Sequence, residues 1–132
     1  MKYEYVSPQE IKQNWDFVRF GLHKILRKSP EDWIPEDVYA SIVYQKSILW
    51  LVKSDEGHSN GFFILQPSGD VCHIWCAWAV APDLLEGGVE FIEQIARESG
   101  ANKLTFDTNR LGWTKVAKKL GFVPRTWLKE LK

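Results

Sequence analysis

The sequence lacks the features that mark membrane, fibrous and disordered proteins. No apolar run approaches the roughly 20 residues that a membrane helix needs, and residues 1–6 carry no apolar stretch of the kind found in secretory signals. We therefore expect a cytoplasmic protein without membrane contact. Hydrophobic residues make up 45% and charged residues 26% of the 132 residues, which is typical of a globular protein. The length predicts a single domain over residues 1–132.

Cysteine is scarce, and its placement argues against an internal disulfide. Cys72 and Cys76 lie in one predicted strand, where extended chain separates their Cα atoms by about 13 Å. A disulfide needs less than about 7 Å, so we expect two free thiols packed in the core. Only His73 lies nearby, without the spacing of a metal site, and no metal is predicted.

Net charge is also absent, because 17 basic side chains balance 17 acidic ones. Acidic residues dominate the middle of the chain and basic residues its C-terminal part. This asymmetry fits an anion-binding end, a complementary contact in a homodimer, or two solvated faces of opposite sign. A dedicated nucleic-acid-binding protein is normally more basic overall, so nucleic acid is the weakest partner prediction.

Tryptophan, in contrast, is abundant, with seven residues. Tryptophan is enriched at protein interfaces, although each ring can equally belong to the core. We expect most of the indoles to be buried. If the protein works through a protein partner, some tryptophan should stay exposed, and the first candidates are Trp33, in a predicted loop, and Trp127, in the last predicted strand.

Hydrophobic periodicity predicts alternating strands and helices. Period-two patterns and short apolar runs predict strands over residues 2–6, 47–52, 62–65, 71–80, 103–108 and 122–131. Helical spacing of apolar residues predicts helices after Ser7, over about 36–45, after Asp83 and from about Trp113. The order is β-α-α-β-β-β-α-β-α-β. The unit from residue 71 to 108 should be a right-handed parallel crossover, which makes the fold α/β with a mixed sheet.

The first helix has the clearest boundaries. Ser7, Pro8 and Glu10 form the pattern of a capping box, with serine as the N-cap and proline in the first helical position. One apolar face follows at residues 11, 15, 18, 22 and 25. The helix should end near Ser29, because the residue before Pro30 avoids the helical region.

Two local runs connect this order of elements with a known family. Residues 80–83 (VAPD) end the long strand, and residues 117–122 (AKKLGF) end the last helix. Both runs resemble those of the GNAT N-acetyltransferases, and the resemblance covers nearly the whole chain. It implies a GNAT-like central sheet with helices on both faces, acetyl-CoA as acyl donor and a small amine as acceptor.

The same resemblance indicates where coenzyme A would bind. In that family an Arg/Gln-x-x-Gly-x-Gly/Ala loop opens the third helix and holds the diphosphate through backbone N–H groups and the helix dipole. Gly88 matches the middle glycine, and Gly87 keeps the loop flexible. Leu85, however, replaces the Arg/Gln, Glu90 replaces the last small residue, and Glu86 adds a carboxylate. These departures predict a degenerate loop.

The candidate site residues follow from the resemblance and from position in the sheet. Coenzyme A contacts carried over from the family are Val80, Leu85, Gly87, Gly88 and, offset by one residue, Asn109. The family's usual tyrosine acid is absent, because that position is alanine. His73, on the central strand, and Asp107, near the carboxyl end of the next strand, are the candidate catalytic residues. Their structural alternatives are a core histidine and a turn carboxylate.

The expected function is that of an acyl-CoA N-acyltransferase-like protein with weak or absent acetyl transfer. One alternative is an active N-acetyltransferase with an altered coenzyme A loop. The other is a non-catalytic structural or binding protein with a protein partner. Small, tryptophan-rich chains with such loops resemble some bacteriophage-encoded proteins, which would place this one in the host cytoplasm or the virion.

Overall fold

The structure, a computed structural model, describes residues 1–108, 113–124, 129 and 131. Its elements are β1 (Lys2–Val6), α1 (Ile11–Lys28), α2 (Pro35–Val43), β2 (Ile48–Lys53), β3 (Ser59–Ser68), β4 (Val71–Ala79), α3 (Pro82–Glu98), β5 (Lys103–Phe106) and α4 (Trp113–Lys119). The strands form one sheet in the order β1-β2-β3-β4-β5. Strands β1 to β4 pair antiparallel, and β5 joins β4 in parallel. The predicted α/β class with a mixed sheet is confirmed.

Each face of the sheet carries its own apolar core. Helices α1 and α2 cover one face, where Val18, Leu22 and Val38 are fully buried against residues of β2 and β3. On the opposite face, Ile92 and Ala96 of α3 pack on Phe63. The predicted apolar face of α1 is confirmed, since its members at residues 11, 15, 18, 22 and 25 all belong to the first core.

The start of α1 differs from the predicted capping box. The helix begins at Ile11, with Glu10 as its N-cap residue, and residues 8–10 form a turn. The Ser7 hydroxyl and backbone N–H both donate to Oε1 of Glu10, at 2.7 and 3.1 Å. The glutamate therefore reaches back as predicted, but it also accepts a hydrogen bond from the serine hydroxyl. The serine is held by the Glu10 carboxylate and does not cap the helix.

Strand β4 is interrupted by a bulge. Its pairing with β3 shifts between Ile64 and Leu65, which pair with Cys76 and Ile74, so that Trp75 is the extra residue. Cys72 and Cys76 are buried free thiols, as predicted.

The C-terminal part is only partly described. Residues 122–124 lie in no strand, so the predicted strand over 122–131 is wrong there. Most of its remainder, including Trp127, lies outside the described residues, as does Asn109. Among the residues that the structure describes, no helix is both long and apolar enough to cross a membrane, and no cluster of metal-ligating side chains occurs.

Candidate functional site between β4 and β5

Strands β4 and β5 pair only at their beginnings. The register runs from Val71 opposite Lys103 to Ile74 opposite Phe106, where β5 ends. Strand β4 continues to Ala79, and no described strand pairs with this part of its β5 edge. Backbone N–H and C=O groups on an unpaired edge remain available to another chain or ligand. A cavity of about 370 Å³ lies beside it.

The cavity is lined from both faces of the sheet. The walls include Trp33, Trp75 and Cys76, which belong to the α1 core. They also include Phe63 and Ile92, which belong to the α3 core on the opposite face. The cavity therefore lies in the gap between the two strands and has walls from both faces of the sheet.

The bulge in β4 shapes the side of the cavity that faces α1. Trp75 and Cys76 are consecutive, yet both pack on the α1 core, because the extra residue of a bulge breaks the alternation of side chains. The Trp75 ring lies 6.2 Å from that of Trp33 in an edge-to-face arrangement. Trp33 is 8% exposed, so the prediction that it stays exposed is wrong: it packs inward on the bulge.

Alternate residues of the segment that joins α1 to α2 face the cavity. Ser29, Glu31 and Trp33 line it, whereas Pro30 and Asp32 do not. Glu31 is exposed overall, but partial burial, followed by the charges of Asp32 and Asp107, raises the pKa of its carboxyl. Burial, and then the charge of Glu31, raises the pKa of the Cys76 thiol far above its ordinary range. The thiol is therefore neutral and is no nucleophile.

The structure brings together the two predicted catalytic residues, His73 and Asp107. Nε2 of His73 lies 3.8 Å from the Asp107 carboxylate, and Nδ1 lies 2.8 Å from the Thr105 hydroxyl. Asp107 lines the cavity, whereas His73 does not. Asp107 is therefore the member of the pair that can reach a ligand in the cavity, and His73 can act there only through Asp107.

The run predicted as a coenzyme A loop is helical. Helix α3 starts at Pro82, because proline fits the first helical position, and Gly87 and Gly88 fall inside it. The flexible loop predicted at Gly87 is therefore wrong. Gly88 is needed for packing, since a Cβ there would lie 2.8 Å from the Phe63 ring. Leu85 lines the cavity, while Val80, Gly87 and Gly88 do not.

The two glutamates of this run have different surroundings. Glu86 lines the cavity and lies 4.0 Å from Nζ of Lys119 on α4. Glu90 lies on the exposed side of the helix, where its charge adds to burial in raising the pKa of Tyr3. Only Glu86 places a carboxylate at the end of the cavity next to the start of α3.

Sequence patterns alone did not identify Ser29, Glu31 or Trp75 as site residues. Ser29, Glu31 and Trp33 alternate along the segment after a helix end. This alternation could have identified Ser29 and Glu31 as cavity residues from the sequence. No local signal marks the bulge at Trp75, because it depends on pairing with β3.

Several solved structures superpose on almost the whole chain. No family model matches the sequence, and no curated protein matches it significantly. The ribosomal-protein-alanine N-acetyltransferase of Brucella melitensis biovar Abortus 2308 superposes with a TM-score of 0.73 at 10% identity, covering 100% of this chain and 99% of its own. For AAC(6')-Iy, in complex with the bisubstrate analogue CoA-S-monomethyl-acetylneamine, the TM-score is 0.69 at 15% identity, with 99% and 97% covered. An acetyltransferase of Trypanosoma brucei gives 0.62 at 13% identity, with 99% and 98% covered. The chain has the fold of the GNAT acetyltransferases.

Proposed function

We propose that this chain binds an acyl thioester and an amine in the cavity between β4 and β5, and that it transfers acetyl groups from coenzyme A weakly. The observation that carries the proposal is the two-sided cavity at the point where β4 and β5 separate. Two reactants can enter such a gap from opposite faces and meet at the open edge of β4. AAC(6')-Iy, which shares the fold, binds a bisubstrate analogue containing coenzyme A.

The apolar part of the gap fits an acyl-pantetheine arm. Ala77, Ala79 and Val89 line it and leave room beside the strand. Beyond Ile74 this edge of β4 pairs with no described strand. Its backbone N–H and C=O groups can therefore bond to the amides of such an arm, in the way that an added strand pairs with a sheet edge.

The end that would receive the diphosphate does not fit a doubly charged anion. The N–H groups and dipole at the start of α3 favour negative charge, but Asp83 already lies in the first turn, and Glu86 lines the cavity nearby. A carboxylate about 5 Å from a phosphate charge costs roughly 3 kcal/mol at an effective dielectric constant near 20. Lys119 offsets part of this repulsion through its ion pair with Glu86.

Proton transfer falls to carboxylates on the α1 side of the gap. The amine nitrogen forms a new C–N bond to the carbonyl carbon of the bound thioester, and the C–S bond breaks. In the whole reaction the substrate ammonium loses two protons, and one of them ends on the departing sulfur. Glu31 can take the other proton, because its raised pKa makes it a better base than an ordinary carboxylate. Asp107, whose carboxylate lies 3.8 Å from Nε2 of His73, is the second candidate.

Titration calorimetry with two acyl donors tests the proposal. Acetyl-CoA carries the diphosphate, whereas S-acetyl-pantetheine lacks it and shares the acyl arm. We expect both to bind, with acetyl-CoA no tighter than acetyl-pantetheine. Glu86→Gln should strengthen the binding of acetyl-CoA by about tenfold and leave the affinity for acetyl-pantetheine unchanged. The gain is smaller than full Coulomb repulsion would give, because Lys119 and solvent already weaken that repulsion.

The matched control is Glu98→Gln, which removes a carboxylate from the other end of the same helix and should change neither affinity. Micromolar acetyl-CoA binding, far tighter than that of acetyl-pantetheine, would instead support the active N-acetyltransferase. If neither donor binds, the proposal is wrong and a non-catalytic binding protein is favoured. The bacteriophage origin and the cytoplasmic location stay predictions.

A further inference from the structure

One buried polar group at the cavity wall has no hydrogen-bond partner among the described residues. Ser29 is 5% exposed, and its Oγ is the one buried side-chain polar atom in the described part of the chain that lacks a hydrogen bond. A buried hydroxyl without a hydrogen bond is costly. Ser29 lines the cavity, and rotation about a single bond can turn its hydroxyl toward a ligand there. This residue therefore points to a ligand with a hydrogen-bonding group.

The charges near Ser29 indicate that this group is cationic. Glu31 and Asp107 line the same cavity, and Asp32 adds its charge at Glu31. Lys24 and Lys28 also line the cavity. However, Nζ of Lys24 lies over the Phe20 ring, 5.2 Å from its centroid, and neither lysine is among the causes that act on the Glu31 carboxyl. Among the described residues, the charges that act on the Glu31 carboxyl are those of Asp32 and Asp107, both negative, and this favours a cation beside it.

The walls beside Glu31 indicate that the cation has an apolar, aromatic-sized body. Trp33 and Trp75 meet edge to face, and Trp78 continues the wall along β4. Indole faces attract ammonium groups and pack well on flat apolar bodies. A hydrophilic polyamine would leave this surface poorly covered.

We propose that Ser29 and Glu31 bind the ammonium group of a primary amine and that Trp33 and Trp75 hold its aromatic or bulky apolar body. This inference rests on the proposed function, because it names the acceptor class for the α1 side of the cavity. It assigns substrate recognition to the segment between α1 and α2.

Calorimetric binding of three probes, without any acyl donor, tests the inference. Tryptamine carries both features, tryptophol replaces its ammonium by a neutral hydroxyl, and putrescine keeps the charge without the aromatic body. We expect tryptamine to bind at least about tenfold more tightly than either, since a charge-assisted hydrogen bond and aromatic contact each contribute about that factor.

Variants assign the contacts. Glu31→Gln should weaken the binding of tryptamine about tenfold and leave the affinity for tryptophol unchanged. Ser29→Ala should weaken the binding of tryptamine several-fold. Glu36→Gln removes an exposed carboxylate from the first turn of α2, outside the cavity, and should have no effect. Thermal unfolding checks that each variant is folded. Because these changes are small and lie at the surface or the cavity wall, we expect folded proteins.

Equal binding of tryptamine and tryptophol, or an unchanged affinity in Glu31→Gln, would overturn the inference. The two proposals fail separately. If acetyl-pantetheine binds but tryptamine does not, the acyl site stands and the acceptor class is wrong. If tryptamine binds but no acyl donor does, the segment is an amine-binding site without transfer.

Discussion

The two edges of β4 have opposite roles in this molecule. Its β3 edge is paired from Ser68 opposite Val71 to Gly61 opposite Ala79, apart from the bulge at Trp75. Among the described residues, its β5 edge is paired only as far as Ile74. The paired edge places Phe62 and Phe63, which are almost fully buried, at the centre of the two cores. The open edge leaves a cavity. One strand thus provides both the stability of the fold and one wall of the site.

The largest expected effect separates these two roles. Phe62→Ala should lower the free energy of unfolding by about 3–5 kcal/mol, because it leaves a void in a closed core. Trp75→Ala should lower it by only about 1–2 kcal/mol, because the indole is half-buried beside an existing cavity. Urea denaturation of both variants measures the difference. Equal losses would mean that the open side is as tightly packed as the paired side.

Alanine substitutions at two neighbouring glycines of α3 should change the stability of the protein in opposite directions. A Cβ at Gly88 would lie 2.8 Å from the Phe63 ring, whereas a Cβ at Gly87 would meet open space. Gly88→Ala should destabilise the protein by about 1 kcal/mol, since overpacking outweighs the gain in helix propensity. Gly87→Ala should stabilise it by about 0.5–1 kcal/mol. Melting temperatures that shift in the same direction would contradict the helical placement of this run.

Alkaline pH tests whether the cavity side of β4 is dry. Burial and the charge of Glu31 raise the pKa of Cys76 in the folded state, so the unfolded thiol ionises first. The stabilisation is complete below the unfolded pKa and is lost as pH rises above about 8.5, by up to about 1.4 kcal/mol per pH unit. Denaturation at pH 8 and 10.5 should show a smaller loss for Cys76→Ala than for the parent. An identical loss would indicate that water reaches the thiol.

The smallest expected effect on stability is that of substituting Ser7, which lies away from both edges of β4. Its hydrogen bonds lower the pKa of the exposed Glu10 carboxyl. The resulting stability is present above the ordinary glutamate pKa and is lost as pH falls through the lowered folded value. Ser7→Ala should therefore raise the pKa of Glu10 in an NMR titration and slightly lower the melting temperature at pH 7. Below about pH 3 the difference should vanish. Ser7→Thr, which keeps the hydroxyl, is the control.

The sequence by itself determined most of the element order. Periodicity reports burial on one face of a helix or strand, and it located α1, the β2–β4 meander, α3 and β5 near their observed bounds. The cysteine spacing correctly predicted free thiols, because extended geometry fixes the distance between residues of one strand. His73 and Asp107 lie close together because the register of β4 and β5 places His73 opposite Thr105, and their catalytic role stays a prediction.

Only the tertiary structure decided where the site lies. Trp33 is a loop residue by sequence, yet it is buried because the bulge at Trp75 turns a second indole toward it. Glu86 and Glu90 both count against a diphosphate in the sequence run, but only Glu86 lines the cavity, whereas Glu90 is exposed and its charge helps to raise the pKa of Tyr3. Local patterns encode which side of an element is buried. The width of the gap between β4 and β5, and the residues that meet across it, depend on contacts between segments far apart in the chain.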